Sequence, residues 1–80
     1  MYYYVYILKS EKFKETYYTG FTTKLEERLV KHNNGDVPHT SKYKPWEIKN
    51  AIAFRDKDKA LAFEKYLKSH SGRALAKKHF

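Results

Sequence analysis

Residues 2–21 read YYYVYILKSEKFKETYYTGF, and this stretch decides how the 80-residue chain folds. Two apolar runs, Tyr2–Leu8 and Tyr17–Phe21, predict two strands, because tyrosine and β-branched residues favour extended backbone. The polar segment between them, Lys9–Thr16, is long enough for a hairpin loop. Alternate positions of the first run are apolar on both sides, so we expect both faces of the resulting sheet to be covered.

The segment after the hairpin predicts a helix followed by a loop. Thr23 begins the sequence Thr-Lys-Leu-Glu, which fits a capping box at a helix N-terminus. The helix is predicted to end near Asn34, because Gly35 supplies the left-handed residue on which helices often end. Glycine and two prolines then mark residues 35–45 as a loop.

The second half of the chain predicts a third strand and two more helices. Trp46–Phe54 has the apolar content of a strand, and helices are predicted at about residues 58–69 and 72–79. The predicted caps are Asp56 or Asp58 for the first of these helices and Ser71 for the second. The element order β-β-α-β-α-α predicts an α/β fold of the α+β type, with one mostly antiparallel sheet, in a single domain spanning 1–80.

Composition and charge narrow the function classes. The chain has 17 Lys+Arg against 9 Asp+Glu, a formal net charge of +8, and most of the excess falls after residue 36. Such a basic surface predicts a nucleic-acid partner. Cysteine is absent, and the sequence has neither a secretory signal nor the ~18 apolar residues of a membrane span. We therefore expect a cytoplasmic protein without disulfides, and the scattered glycines predict no nucleotide cofactor.

Arg28 and His32 are the first candidates for chemistry. They are four residues apart on the predicted first helix, and both lie at the edge of the apolar side that Leu25 and Leu29 define. Arginine can contact a phosphate through two hydrogen bonds, and histidine can exchange a proton near neutral pH. An arginine paired with an acid, beside a histidine that completes the core, is the structural alternative.

Glu64 is a carboxylate on the apolar side of a predicted helix. Ala60, Leu61, Phe63 and Leu67 form one arc of that helix, and Glu64 lies within it. A carboxylate in such a place is costly unless it is paired or bound to a metal. A metal site and an ion pair with Arg28 are both open.

Tyr6 and Tyr18 are the tyrosines of interest, because they would lie close together in a hairpin and could face one cleft. A phenol is a poor base, but it can hold a water molecule by hydrogen bonds. Stabilisation of the sheet by cross-strand aromatic pairs is the alternative. Gly20 follows these tyrosines in the sequence. A glycine in a strand marks a position where the backbone either packs closely against another group or adopts an unusual dihedral angle.

The loop before the third strand mixes cations, hydroxyls and an aromatic ring. Cations contact phosphates and aromatic rings stack on bases, so this loop is a candidate nucleic-acid contact. The candidate residues are His39, Thr40, Lys42 and Lys44. An ordinary exposed loop is the alternative reading.

The ordered set of these motifs resembles the GIY-YIG nuclease domain over essentially the whole chain, and in particular its small standalone bacterial members. Tyr4-Val5-Tyr6 and Tyr18-Thr19-Gly20 resemble the two signatures, followed by Arg28 with His32 and then by Glu64. Tyr4 takes the place of the signature glycine, and Thr19 that of an aliphatic residue. The resemblance implies a three-stranded antiparallel sheet flanked by helices.

The resemblance also implies roles for the candidate residues. Glu64 would hold a single Mg²⁺ or Mn²⁺, and Arg28 would clamp the scissile phosphate. Tyr6 or Tyr18 would position or deprotonate the attacking water, with assistance from His32. These roles imply a metal-dependent endonuclease acting on DNA, in repair or recombination.

A nucleic-acid-binding module of the same fold, with weak or no cleavage, is the alternative. Many nuclease members of the family carry a late asparagine near the site, and this chain has none after Asn50. Larger members also bind DNA through an attached second domain. Both differences favour the binding module, whereas Tyr6, Tyr18, Arg28 and Glu64 favour the enzyme.

Overall fold

A computed structural model describes residues 1–80, the side chain of His70 excepted. The strands are β1 (Tyr3–Ser10), β2 (Tyr17–Thr22) and β3 (Trp46–Phe54), and the helices are α1 (Leu25–Asn34), α2 (Pro38–Ser41), α3 (Lys57–Lys68) and α4 (His70–His79). The strands form one antiparallel sheet in the order β2-β1-β3. The predicted three-stranded antiparallel sheet flanked by helices is confirmed.

Helices cover both faces of the sheet, as the doubly apolar pattern of β1 predicts. On one face, the buried side chains of Tyr6, Leu8 and Trp46 pack against α1. On the other face, Val5 and Ile7 pack against α3 and α4. Burying one such aliphatic side chain contributes about 1.5–3 kcal/mol, so two thin layers of core suffice for a chain of this size.

The core of α3 and α4 differs in detail from the prediction. Leu61 was expected in the apolar arc of α3, but it is exposed, and Ala60 and Leu67 are the buried residues of that helix. On α4, Ala76 packs against the core cluster of this face. Fewer side chains of α3 are therefore buried than the apolar residues of this helix predict. Glu64 lies at the edge of the buried side of the helix.

A β-bulge interrupts the pairing of β1 with β3. Ile7 pairs with Asn50 but Leu8 pairs with Ile48, so Lys49 is an extra residue on β3. Bulges bend a strand and turn the side chain of the extra residue in a new direction. The sequence contains no glycine here that would predict the bulge.

The two ends of α1 differ in how well the sequence predicts them. The capping box at Thr23 is wrong: the helix begins at Leu25, and no side chain caps it. Thr22 instead accepts a hydrogen bond from the Lys24 N–H at 3.0 Å, which makes a local turn in place of the predicted cap. At the other end, the prediction at Gly35 is confirmed by its left-handed φ of 82°.

The junction of α3 and α4 has a tight turn. Asp56 caps α3 by accepting from the N–H groups of Asp58 and Lys59, as one of the two predicted alternatives requires. Ser69, and not the predicted Ser71, caps α4 by accepting from the Gly72 N–H at 3.1 Å. A side chain at Gly72 would overlap the Tyr66 carbonyl, so this close approach of the two helices determines where α4 begins.

Trp46 fastens α1 and the short helix α2 to the start of β3. Asn33 donates its side-chain N–H to the Trp46 carbonyl at 3.0 Å and accepts from the Trp46 backbone N–H. The indole N–H of Trp46 donates to the Thr40 carbonyl at 2.9 Å. Segment 35–45, predicted as a loop, thus contains a helical turn held in place by a buried ring.

No helix in the described part of the chain combines the length and the apolar character that crossing a bilayer requires.

We predict that Asn33→Ala lowers the free energy of unfolding by about 2 kcal/mol, because it leaves two backbone groups of Trp46 without a partner. The control is Asn34→Ala, which removes the same side chain from the exposed neighbouring position and should change stability by about 0.5 kcal/mol or less. Urea denaturation followed by tryptophan fluorescence measures both. Equal effects of the two substitutions would contradict the proposed importance of the Asn33–Trp46 contact.

Candidate active site at the β2 edge of the sheet

A buried chain of hydrogen bonds connects β1, α1 and α2. The Tyr6 hydroxyl lies 2.9 Å from Nε2 of His32, and Nδ1 of His32 lies 2.7 Å from Oγ1 of Thr40. The exposed fractions of Tyr6, His32 and Thr40 are 2%, 1% and 1%. Water therefore does not compete for these bonds, and the three side chains hold one another in fixed orientations.

The direction of each hydrogen bond follows from the number of available protons. Oγ1 of Thr40 lies 3.2 Å from the Val37 carbonyl, which can only accept, so the threonine hydroxyl donates there. Oγ1 then accepts from His32, which places the imidazole proton on Nδ1. The free Nε2 accepts from the Tyr6 hydroxyl, so the phenol is the donor of its bond to His32.

The protonation states agree with this arrangement. Burial is the main cause that raises the pKa of the Tyr6 hydroxyl far above its ordinary value; Tyr18 and Glu64 add to the rise, and Arg28 opposes it. Burial, and then the Arg28 charge, lower the pKa of His32. Both side chains are therefore neutral near pH 7, as a phenol donating to an imidazole requires.

Tyr18 lies beside this buried pair but is only half-buried. Tyr6 is opposite Gly20 in the pairing of β1 with β2, and Tyr18 is opposite Leu8, so both tyrosines project from the same face. The ring centroids of Tyr18 and Tyr6 are 6.4 Å apart, and those of Tyr18 and His32 are 5.1 Å apart. Of the two signature tyrosines, Tyr18 is therefore the one that solvent and a substrate can reach.

Gly20 gives the Tyr6 ring its place. A Cβ atom at this position would overlap the Tyr6 hydroxyl and lie 3.0 Å from a ring carbon. The sequence left two explanations for Gly20, a close approach or an unusual backbone angle. Because the φ of Gly20 is not positive, the geometry supports the close approach. Any larger residue would displace the hydroxyl that bonds to His32.

Arg28 and Glu64 approach this region from opposite faces of the sheet. Arg28 is on α1, one helical turn before His32, and Glu64 is on α3; the Arg28 charge lowers the pKa of Tyr6 and the Glu64 charge raises it. The α1 and α3 helices cover opposite faces of the sheet, and because β2 is an edge strand a side chain of α3, Lys68, reaches the ring of Tyr18 on β2. The site thus lies at the β2 edge of the sheet.

The partner of Glu64 is Lys68, one helical turn further along α3. Oε2 of Glu64 lies 3.1 Å from Nζ of Lys68, and the Glu64 side chain is 19% exposed. The ion pair with Arg28 that the sequence left open is not formed. Nζ of Lys68 also lies 5.9 Å from the centroid of the Tyr18 ring, which links the carboxylate on α3 to the tyrosine on β2.

The four loop candidates divide into one buried and three exposed residues. Thr40 was expected to contact nucleic acid, but its hydroxyl is buried against His32 and cannot reach a ligand in solution. His39, Lys42 and Lys44 are exposed. Lys42 lies over the ring of Tyr43, with Nζ 5.6 Å from the ring centroid.

Sequence reasoning missed the parts played by Lys68 and Thr40. Lys68 was not among the sequence-based candidates, although its position four residues after Glu64 is the spacing at which a carboxylate and an ammonium group meet on a helix. That spacing is a signal which the sequence did contain. Thr40 gave no such signal, because its contact with His32 depends on where Trp46 holds α2.

The chain matches the family model of the GIY-YIG catalytic domain over residues 2–78. It therefore belongs to the GIY-YIG family, whose members are generally nucleases. The two tyrosines that resemble the signatures of that family, Tyr6 and Tyr18, lie side by side in the β1–β2 hairpin.

Relatives and a solved structure resemble this chain over most of its length. The UPF0213 protein of Clostridium perfringens is 39% identical over 66 residues, which cover 81% of this chain and 69% of that protein. The UPF0213 protein of Halobacterium salinarum is 35% identical over 57 residues, covering 70% and 74% respectively. The solution structure of the UPF0213 protein from Bacillus halodurans has a TM-score of 0.58 at 30% identity, and the match covers 98% of this chain and 84% of that one.

We predict that stability falls as the pH drops below about 6.5, the ordinary pKa of histidine, because the unfolded chain then binds a proton that the folded His32 does not. The folded pKa is the lower one, so the stabilisation is complete above the unfolded pKa and is lost on acidification. Urea denaturation at a series of pH values measures it, and His32→Gln should remove this part of the pH dependence. His39→Gln, at an exposed histidine, should leave the pH dependence unchanged; an equal effect of both variants would refute the assignment.

Proposed function

We propose that this chain is a divalent-metal-dependent endonuclease that hydrolyses phosphodiester bonds in DNA. Family membership supports a nuclease. The observation that carries the proposal is a set of contacts: Tyr18 packs beside the hydrogen-bonded Tyr6–His32 pair, and the Glu64–Lys68 ion pair lies beside Tyr18, with Arg28 one helical turn before His32. A guanidinium can bind the phosphate, a carboxylate can hold a divalent metal ion, and a phenol can orient a water molecule, and phosphodiester hydrolysis can use all three.

Arg28 is the proposed clamp for the scissile phosphate. Its side chain is partly exposed and lines a hollow of about 180 Å³ together with Lys24 and Lys31. A guanidinium can donate two parallel hydrogen bonds to a phosphate and stays charged at any workable pH. Lys31 would also hold the flanking backbone and stabilise the negative charge that develops as the bond breaks, whereas Lys24 lies 3.9 Å from the Glu27 carboxylate that lines the same hollow.

Glu64 is the proposed ligand of a single Mg²⁺ or Mn²⁺. Its carboxylate is reachable, and the described residues contain no cluster of three or more acidic or histidine side chains that could enclose a metal. That arrangement fits Mg²⁺, which often takes only one or two carboxylates and completes its shell with water and substrate phosphate. When bound, the ion would stabilise charge on the phosphate and on the leaving oxygen.

The two signature tyrosines have different proposed roles. Tyr18 is half-exposed next to the carboxylate side of the site, so its hydroxyl can orient the water that attacks phosphorus. Tyr6 is buried and donates its proton to His32, so it does not reach the attacking water. We assign Tyr6 and His32 to positioning: their hydrogen bond holds the ring against which Tyr18 packs.

The exposed cations around the site are the proposed means of holding DNA. The bond between Thr40 and His32 places α2 beside the site, so its neighbours His39, Lys42 and Lys44 could contact phosphates on either side of the cleaved bond. A formal net charge of +8 supports such contacts. The same proposal treats 1–80 as one domain and places it in the cytoplasm.

A nucleic-acid-binding module without cleavage is the second candidate. The Glu64 carboxylate is paired with Lys68 at 3.1 Å, and an ammonium group in that place competes with a metal ion. Binding would persist under this alternative, because it depends on the cations and not on Glu64.

We predict that Glu64→Gln reduces metal-dependent cleavage at least about 100-fold, since the amide cannot supply the charge that holds the ion. The assay follows nicking of plasmid and cutting of branched or single-stranded DNA with Mg²⁺ or Mn²⁺, and Glu47→Gln at an exposed position serves as the control. Retardation of DNA in a gel by the wild-type protein, without metal-dependent cleavage, would establish the binding module instead.

The division between the tyrosines gives a second prediction. Tyr18→Phe should lower kcat about 100-fold and leave the unfolding free energy nearly unchanged, because only the contact with the attacking water is lost. Tyr6→Phe should instead lower the unfolding free energy by about 1–2 kcal/mol, because Nε2 of His32 loses its donor. Urea denaturation and single-turnover cleavage on the same preparations test both, and the reverse pattern would exchange the two roles.

A further inference from the structure

A cleft of about 920 Å³ opens next to the site, on the face of the sheet that α3 and α4 cover. Its floor is apolar and comes from the sheet at Ile7 and from the helices at Leu67 and Ala76. This volume is at the upper end of the range of about 300–1,000 Å³ that small-molecule sites occupy. The cleft is therefore large enough for an extended ligand of which only part is enclosed.

Cationic side chains predominate at the rim of the cleft. Lys49 comes from β3, Lys68 from α3, and Arg73 and Lys77 from α4, whereas Glu15 is the single carboxylate among the described lining residues. Of these cations, Lys68 has an acidic partner, and the described side chains provide none for the other three. A concave surface lined mainly by positive charge concentrates anions, so the cleft favours an anionic ligand.

The cleft also contains an exposed aromatic ring. Tyr17 is 43% exposed, and Nζ of Lys49 lies 4.8 Å from the centroid of its ring. Lys49 is the extra residue of the β-bulge, which accounts for a β3 side chain meeting a ring on the far strand β2. A cation over a reachable aromatic ring is the combination with which single-stranded nucleic acids are held, through phosphate contact and base stacking.

The cleft is continuous with the candidate active site. Tyr18 and Lys68 line the cleft, and Lys68 forms the ion pair with Glu64. A strand whose phosphate lies at Arg28 and Glu64 can therefore continue past Tyr18 into the cleft without leaving the protein surface.

We infer that the cleft binds a single-stranded segment of the polynucleotide next to the phosphodiester that is cleaved. That the cut lies next to the cleft rests on the proposed function, whereas the binding of a single strand in the cleft does not. A base can stack on Tyr17 only when one face of the base is not covered by a neighbouring base. In a continuous duplex both faces of each base are already stacked. The preferred substrate is thus one with an unpaired strand beside the cut, such as a branch, a flap or a gap.

Binding without metal tests the cleft directly. The probe is a fluorescein-labelled oligothymidylate of about 12 nucleotides, and all binding is measured in EDTA. The RNA oligonucleotide of equivalent sequence and a blunt duplex of equal length are measured for comparison. We expect the double variant Arg73→Ala, Lys77→Ala to raise the Kd for single strands about tenfold, measured by fluorescence anisotropy. The control is Lys57→Ala, Lys78→Ala, which removes the same charge from exposed positions outside the cleft and should raise Kd about twofold.

The aromatic contribution is tested with Tyr17→Leu, which keeps apolar bulk and removes the stacking ring. It should raise the Kd for single strands about fivefold and leave that for the duplex unchanged. Equal losses in the cleft and control double variants, or equal losses for single strands and duplex, would overturn the inference. A lower Kd for the DNA or for the RNA strand identifies which polynucleotide the cleft binds. Weaker binding of either strand by the cleft variants than by the control variant supports the inference.

The two proposals fail separately. Glu64→Gln should bind single strands at least as tightly as the wild-type protein, because it keeps every cation of the rim and releases Lys68 from its acidic partner. If no variant or condition gives cleavage but the cleft variants lose single-strand binding, the nuclease proposal is wrong and the cleft assignment stands. The opposite outcome is that the wild-type protein and the cleft variants all cleave a blunt duplex as fast as a flap. In that case the nuclease proposal stands and the cleft assignment is wrong.

Discussion

The hydrogen-bonded series Tyr6–His32–Thr40 is the interaction on which the rest of the site depends. It joins the central strand β1 to α1 and then to α2, and each bond is formed where water is excluded. The Thr40 hydroxyl also donates to the Val37 carbonyl at 3.2 Å, so the series continues from the imidazole to the backbone at the start of α2. Because an unpaired buried polar group is costly, the three elements cannot shift relative to one another without a penalty of about 1–3 kcal/mol per lost partner.

The candidate site combines buried, neutral side chains with charged side chains that are partly exposed. The buried pair of Tyr6 and His32 remains neutral because burial disfavours charge on either ring. The charged groups lie instead at the edge strand β2, where Arg28 and Glu64 approach from opposite faces and remain partly exposed. A substrate can therefore reach the charges while the groups beneath them stay in place. Lys68 connects this edge to the cationic cleft, so the two regions share one electrostatic environment.

The predictions from sequence succeeded where a local rule was sufficient and failed where two elements meet. The strands, the glycine end of α1 and the Asp56 cap follow from periodicity and turn chemistry. Ser71 was a reasonable cap by composition, but the close approach of α3 and α4 at Gly72 makes Ser69 the cap. For the candidate site, motif order suggested a set of residues, but it did not predict the partner of Glu64 or the burial of Thr40. Both depend on distances between elements that no local pattern encodes.

The sequence by itself determined that a sheet apolar on both faces would be enclosed by helices, and that the ordered tyrosines, arginine, histidine and glutamate belong to the GIY-YIG family. Alternation along a strand and the spacing of motifs are properties of the chain that do not need coordinates. The tertiary structure alone decided that Tyr6 is buried while Tyr18 is reachable, and that the bulge at Lys49 turns a cation toward Tyr17. The physical reason is that burial and strand register arise from contacts between distant segments, each of which is compatible with several arrangements on its own.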